Sequence, residues 1–329
     1  MKMTPSAIAL GLGFACLTSL ALAQEAKPLD KVSMRFGFIA TGNDAMWTYG
    51  VEKGFFKEQG VELELREGKG SAVTAQTVAA GTDDFGADID GGAFLNLASK
   101  GLPATAVMAS LAGSPLVVLS SLEKPILKPA DLIDKQIAIT SGDGPSALLP
   151  VLMQRNSIDP AKVTQVNMQP GPKLTSLLTG RVDGVATNIV IQATLEAKGM
   201  KVNAMKYSDF GVVTPGQYLI VSNAMLEAKP ELIKRVVTAM RKSLEAAAAD
   251  PVAAAESFAR AYPNYDKATA LGELKLIVPL FRSAATKEAP YGTVSVADAK
   301  AGADALIASG MIAGPTDVSK FVTNRFVAP

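Results

Sequence analysis

Apolar and polar positions first fall into register at Met34, Phe36, Phe38 and Ala40, which alternate with Arg35, Gly37 and Ile39 as in a mostly buried strand. Thr41-Gly42-Asn43-Asp44 breaks the run before a helical pattern begins. Alternation returns over 61–65, and a glycine turn, Gly68-Lys69-Gly70-Ser71, leads into a helix over 72–80 that Gly81 stops. A strand over 82–90 ends at Asp90, a helix spans 92–100, and strands follow at 104–109 and 115–120. Pro125 and Pro129 mark 122–134 as a connection.

The same device then recurs. A strand over 135–140 runs into Ser141-Gly142-Asp143-Gly144-Pro145-Ser146 and a helix to Arg155, with proline near its first position. Helix 193–198, strand 201–205, loop 207–216 and strand 217–223 come next, and from Pro230 onward the pattern is helical, over 230–244, 251–261, 267–283 and 296–309. An internal echo ties the halves together. One helix stops at Gly81 with Asp84 three residues on, and another stops at Gly180 with Asp183 three residues on, each leading into a short strand. Two lobes of similar topology fit this echo better than one continuous sheet.

Composition narrows the chemistry. At 329 residues, two lobes is the default expectation, and 48% hydrophobic against 19% charged residues is ample for packed interiors. The net charge of +1, with no basic block, argues against nucleic acid as a partner. Residues 1–23 read as a signal peptide: Lys2 precedes an apolar run, and Ala21-Leu22-Ala23 predicts cleavage after Ala23. Cleavage would remove Cys16, the only cysteine, and the chain contains no histidine. The usual general base, thiol nucleophile and transition-metal ligands are then all missing, so no catalytic or metal site can be drawn from them.

The candidate binding residues lie at strand ends and helix starts, where open α/β sheets take small ligands. They are Thr41, Asn43 and Trp47; Gly70 and Ser71; Asp90; Ser141, Asp143 and Ser146; and Asn188. Gly70 and Ser71 offer a helix N-terminus to an anion or carbonyl, although Ser71 could equally be a plain helix cap. The segment is not a Walker A loop, because Gly68-Lys69 is followed by glycine. Asp90 and Asp143 suit an amine or N–H donor, and Trp47 suits either core packing against Phe55 or Phe56 or stacking on a ligand.

The run Glu52-Lys53-Gly54-Phe55-Phe56-Lys57-Glu58-Gln59-Gly60 into Val61-Glu62-Leu63-Glu64-Leu65 resembles the opening of the periplasmic substrate-binding proteins of ABC importers. More narrowly it resembles their SsuA-like branch, which takes up nitrate, sulfonates, taurine and thiamine-pyrimidine precursors. Leu177-Leu178-Thr179-Gly180-Arg181-Val182-Asp183-Gly184-Val185-Ala186 is similar to a segment of that family's second lobe, with Asn188 looking into the cleft. The likeness runs from Val32 to about Leu306. It implies an α/β, two-lobed, type II periplasmic-binding-protein-like fold, with a first lobe of 31–120 plus 219–329, a second of 121–218, and a C-terminal helical tail on the first.

It also implies a monomeric, periplasmic, non-enzymatic protein without cofactor, which passes a small-molecule solute to an ABC permease in the inner membrane. The expected solute is organic and contains nitrogen or sulfur: a pyrimidine-like compound, a taurine-like aminosulfonate or an aromatic acid. A partner of a membrane sensor is one alternative. Another is the thiamine-pyrimidine-precursor synthase of the same fold, but that enzyme consumes its own histidine and carries a cysteine-rich motif, neither of which stands in this chain.

Overall fold

The computed structural model describes residues 28–327 apart from Gly142, so the expected signal peptide lies outside the described residues. The first half of the chain builds β1 (Asp30–Phe36), α1 (Ala45–Glu52), α2 (Phe55–Glu58), β2 (Val61–Arg66), α3 (Ser71–Ala79), β3 (Phe85–Asp90), α4 (Gly91–Ser99) and β4 (Ala104–Leu111). It continues through β5 (Leu116–Ser121), β6 (Gln136–Ile139), α5 (Gly144–Arg155), β7 (Thr164–Asn167), α6 (Pro170–Leu178), β8 (Gly184–Asn188), α7 (Ile191–Ala197) and β9 (Val202–Lys206). Then come β10 (Gln217–Ser222), α8 (Asn223–Ala228), α9 (Pro230–Ala249), α10 (Pro251–Ala261), α11 (Lys267–Ile277) and α12 (Val296–Ala308).

Two five-stranded sheets result, ordered β2-β1-β3-β10-β4 and β7-β6-β8-β5-β9. In each, four strands share one direction and the fourth in order, β10 or β5, runs antiparallel to both its neighbours. The fold is thus α/β with two similar lobes, each a sheet between helices. Strand 115–120, expected in the first lobe, is instead β5 of the second sheet, between β8 and β9. The four residues of β7, mostly exposed, carry no periodic apolar signal and were not anticipated from the pattern.

Helices cover both faces of each sheet because their apolar stripes demand it. In α9, Ile233, Val236, Val237, Met240, Leu244 and Ala247 recur at three- and four-residue spacing and are buried against the first sheet together with Phe36, Phe56 and Trp47. Each large side chain in that stripe contributes about 1.5–3 kcal/mol through loss of contact with water. The opposite face is closed by α3 and α4, through Val78 and Phe94. In the second lobe α5 packs on one face, through Leu148 and Leu152, and α6 and α7 on the other, through Leu177 and Leu195. The tail does not stay wholly on the first lobe: Ala299, Ala303 and Leu306 of α12 share a core with Leu148 of α5 and Leu95 of α4. The helix expected over 267–283 stops at Ile277, where Pro279 tightens the chain into a 3-10 turn over Val278–Phe281.

The chain crosses between sheets at 112–115 and again at 207–216, and the two crossings run side by side. The Ser114 and Thr214 hydroxyls are hydrogen-bonded at 2.9 Å. A methyl group on Gly216 would meet the Gly113 carbonyl oxygen at 2.3 Å and that of Leu111 at 2.6 Å. Only glycine allows that approach.

Candidate functional site

The carboxyl ends of β1, β3 and β8 open onto one gap between the sheets, a cavity of about 420 Å³. Strand β1 ends at Phe36, four residues short of the expected end, so Gly37, Phe38 and Ile39 form a loop over this gap. Phe38 and Ile39 are 61% and 52% exposed and give this loop an apolar surface toward the gap. The second lobe contributes Thr187, Asn188, Val190, Ile191 and Thr194.

Of the residues singled out from the sequence, Thr41, Asn43, Ser71, Asp90 and Asn188 line this cavity together. Thr41 caps the short turn Gly42–Asp44: its hydroxyl accepts from the Asn43 N–H at 3.3 Å, while its own N–H donates to Asp44 Oδ2 at 2.8 Å. The Asn43 amide donates to Gln217 Oε1 at 3.2 Å, joining the turn to β10. Ser71 does not cap α3. Gly70, at φ +129°, holds that position, and the Ser71 hydroxyl accepts from the Asp90 N–H at 3.0 Å. Asp90 does cap α4, accepting from the Ala93 N–H at 2.7 Å, and it also faces the cavity. Burial pushes its carboxyl upward, opposed by the N–H groups of Ala93 and Gly92 and reinforced by the charge of Asp143.

The remaining five stand apart from the cavity lining. Trp47 is completely buried in the core beside Phe56, and its indole Nε1–H donates to Asp88 Oδ2 at 2.5 Å, so it offers no stacking face. The Gly70 N–H is spent on the Gly37 carbonyl at 2.9 Å. Ser141 is exposed and donates its N–H to Asn167 Oδ1. Asp143 and Ser146 build the start of α5: Asp143 Oδ1 accepts from the Ser146 N–H at 2.7 Å, and the Ser146 hydroxyl accepts from the Thr140 N–H at 2.9 Å. Lys173, 6% exposed, locks this turn by donating to Asp143 Oδ2 at 3.0 Å and to the Ala186 carbonyl at 2.9 Å. The helix start nevertheless faces the first lobe, since a methyl on Gly144 would lie 3.9 Å from both Asp90 carboxylate oxygens.

The structure adds acidic residues that the pattern did not single out. Asp44, Asp88 and Glu273 all line the cavity and are 3%, 5% and 3% exposed. Burial first, and the adjacent Asp88 carboxyl second, push Asp44 well above the ordinary carboxylate range. Burial raises Asp88 too, partly offset by its contacts with Asp44, Ser110 and Trp47. Glu273, from α11, accepts from the Gly42 N–H at 2.7 Å and from the Tyr265 hydroxyl at 2.8 Å, and reaches Thr194 of α7 across the gap. Its carboxyl is likewise raised by burial. Asp88 was within reach only as an acidic neighbour of Asp90: its φ of +56° breaks the strand alternation, so that Phe85 and Ala87 pack in the core with Trp47 and Ile89 packs with Val78 and Phe94. Glu273 was not, because its helix reads as structural. No lysine or arginine lines the cavity.

Comparison with known proteins agrees with this architecture. The riboflavin-binding protein RibY of Chloroflexus aurantiacus is 24% identical over 328 residues, covering 95% of this chain and 91% of that one. A protein of Brucella abortus (strain 2308) that carries only a general binding-protein name is 24% identical over 271 residues, 82% of this chain and 81% of its own. Among solved structures, the periplasmic aliphatic sulphonate binding protein SsuA of Escherichia coli superposes with a TM-score of 0.71 at 14% identity, over 89% of this chain and 92% of that one. The likeness to SsuA is one of fold, the periplasmic-binding-protein fold. The model of the NMT1/THI5-like family matches residues 43–254, most of the two lobes, and the chain belongs to that family.

Proposed function

We propose that this protein is the solute-binding component of an ABC importer, capturing a small nitrogen-containing organic molecule between its lobes and delivering it to an inner-membrane permease. The observation that carries the reading is the cavity of about 420 Å³ at the carboxyl ends of the parallel strands, lined from both sheets. Its size suits one metabolite, and its mixture of apolar walls (Phe38, Ile39, Val190, Ile191, Ile277) with a few convergent polar groups is the usual make-up of such sites. Hinge closure over the paired crossings is the natural way for solute to enter. Export to the periplasm follows from this role, and no described helix is long and apolar enough to cross a membrane.

Within the solute class expected from the sequence, the lining favours the pyrimidine-like member over the aminosulfonate and the aromatic acid. Four carboxyls and no basic side chain meet the ligand, and an anion would have only helix termini to hold it. The synthase alternative has no histidine to draw on.

A thermal-shift screen of pyrimidines, amines, aminosulfonates and aromatic acids against the purified protein tests the reading. A binding solute raises the unfolding midpoint by an amount that grows with its concentration over its Kd, about 2.7 kcal/mol at a hundredfold excess. A protein that turned over one of these compounds, and was stabilised by none, would not be a transport receptor.

A further inference from the structure

We propose that Asp44 and Asp88 form a subsite for a cationic nitrogen, an ammonium or amidinium group of the solute, within the cavity between the lobes. The inference rests on the solute-binding reading above and specifies the charge of what is bound.

Three observations point there. Asp88 is buried yet lines the cavity: Trp47 donates to its Oδ2, while its Oδ1 has the Ser110 hydroxyl and the Asp44 carboxyl nearby but no donor in hydrogen-bond geometry. Its backbone sits at φ +56°, one of three described non-glycine residues in the left-handed region, a conformation a strand residue adopts only when the surroundings enforce it. On the facing sheet Asn188 Oδ1 is also buried without a partner. Both of these oxygens are acceptors. A ligand that satisfies them must bring donors, and donors on a cation also answer the carboxylates.

The other ionisable groups around the pair do not supply that positive charge. Tyr262 and Tyr265 feel the charge of Asp44, Glu67 adds to the field at Tyr262, and Glu273 and Asp90 complete the ring. All are neutral or anionic. Burial and the contact between the two carboxyls both favour holding a proton on the pair when no cation stands beside it. Entry of the cation then sends that proton to the solvent, so one positive charge replaces another and the buried pair never stands doubly charged without a partner.

The test uses benzamidine as the amidinium probe, benzamide as its neutral isostere and benzenesulfonate as the anion, measured by titration calorimetry on the wild type and on Asp88→Asn. Asparagine at 88 retains an acceptor for Trp47 and tolerates the left-handed backbone, and a thermal melt verifies the fold. The expected result is that benzamidine binds most tightly and that its affinity falls by up to about tenfold per pH unit as pH drops through the range in which the pair gains its proton. Asp88→Asn should weaken benzamidine by about 30-fold or more and flatten that pH dependence. Tighter binding of benzamide or benzenesulfonate, or benzamidine binding that ignores both pH and the substitution, would overturn the cation subsite while leaving a solute receptor in place. Failure of all three probes, and of every solute in the broader screen, would remove both readings.

Discussion

A single indole nitrogen decides how Asp88 presents itself. By occupying Oδ2, Trp47 fixes the carboxylate from the core side, so the only tryptophan contributes to the site through another residue rather than by touching a ligand. Sequence patterning could place Trp47 just after a strand–helix turn but could not tell a core indole from a stacking one, because both need an apolar helix face. Asp44 carries the sharper consequence. A carboxyl raised in the folded state makes its full contribution to stability below its unfolded pKa and loses it as pH rises through the raised value. Asp44→Asn cannot ionise and can still accept from the Thr41 N–H. Its melting temperature should match the wild type near about pH 4 and exceed it by about pH 8, a gap that widens with pH. An advantage that grew toward acid would contradict the assignment.

At the scale of elements, the repeated glycine and aspartate read from the sequence turn out to be one structural device used twice. Gly81 and Gly180 end α3 and α6 at φ +74° and +68°, and the aspartates that follow, at the starts of the central strands β3 and β8, reach the neighbouring strand. Asp84 Oδ2 accepts from the Ser33 N–H of β1 at 2.9 Å, and Asp183 Oδ2 from the Gln136 N–H of β6 at 3.0 Å. Each clamps the start of a parallel strand pair whose far end meets the cavity. Asp84→Ala also loses the Ser33 hydroxyl and should cost about 1–2 kcal/mol in denaturant titration. Asp183→Ala, at a more exposed position shared with Lys124, should cost about half that. This echo was legible because its glycines and aspartates keep their spacing. The membership of β5 was not: a strand that opens on four apolar residues and is buried almost throughout fits the middle of either sheet, and only pairing with β8 and β9 decides.

For the whole molecule, the two lobes, their shared topology and the position of the gap followed from the order of strand, turn and capped helix. The acidic character of the gap did not, because Asp44, Asp88 and Glu273 come from a turn, a strand and a late helix that meet only after folding. The narrow point of the architecture is the pair of crossings. Gly216→Val would press a branched side chain onto the Gly113 carbonyl, and unfolding measurements should register a loss of about 2 kcal/mol or more. A neutral outcome would mean that the crossings can part.

Because Gly216 nests against Gly113 and a hydroxyl pair joins Ser114 to Thr214, neither connector can flex alone. Rotation of one lobe on the other turns on this paired seam and must also shift α12, whose Leu306 packs with both Leu95 and Leu148. If the protein captures a solute as proposed, closure about this seam predicts that capture relaxes as one exponential phase.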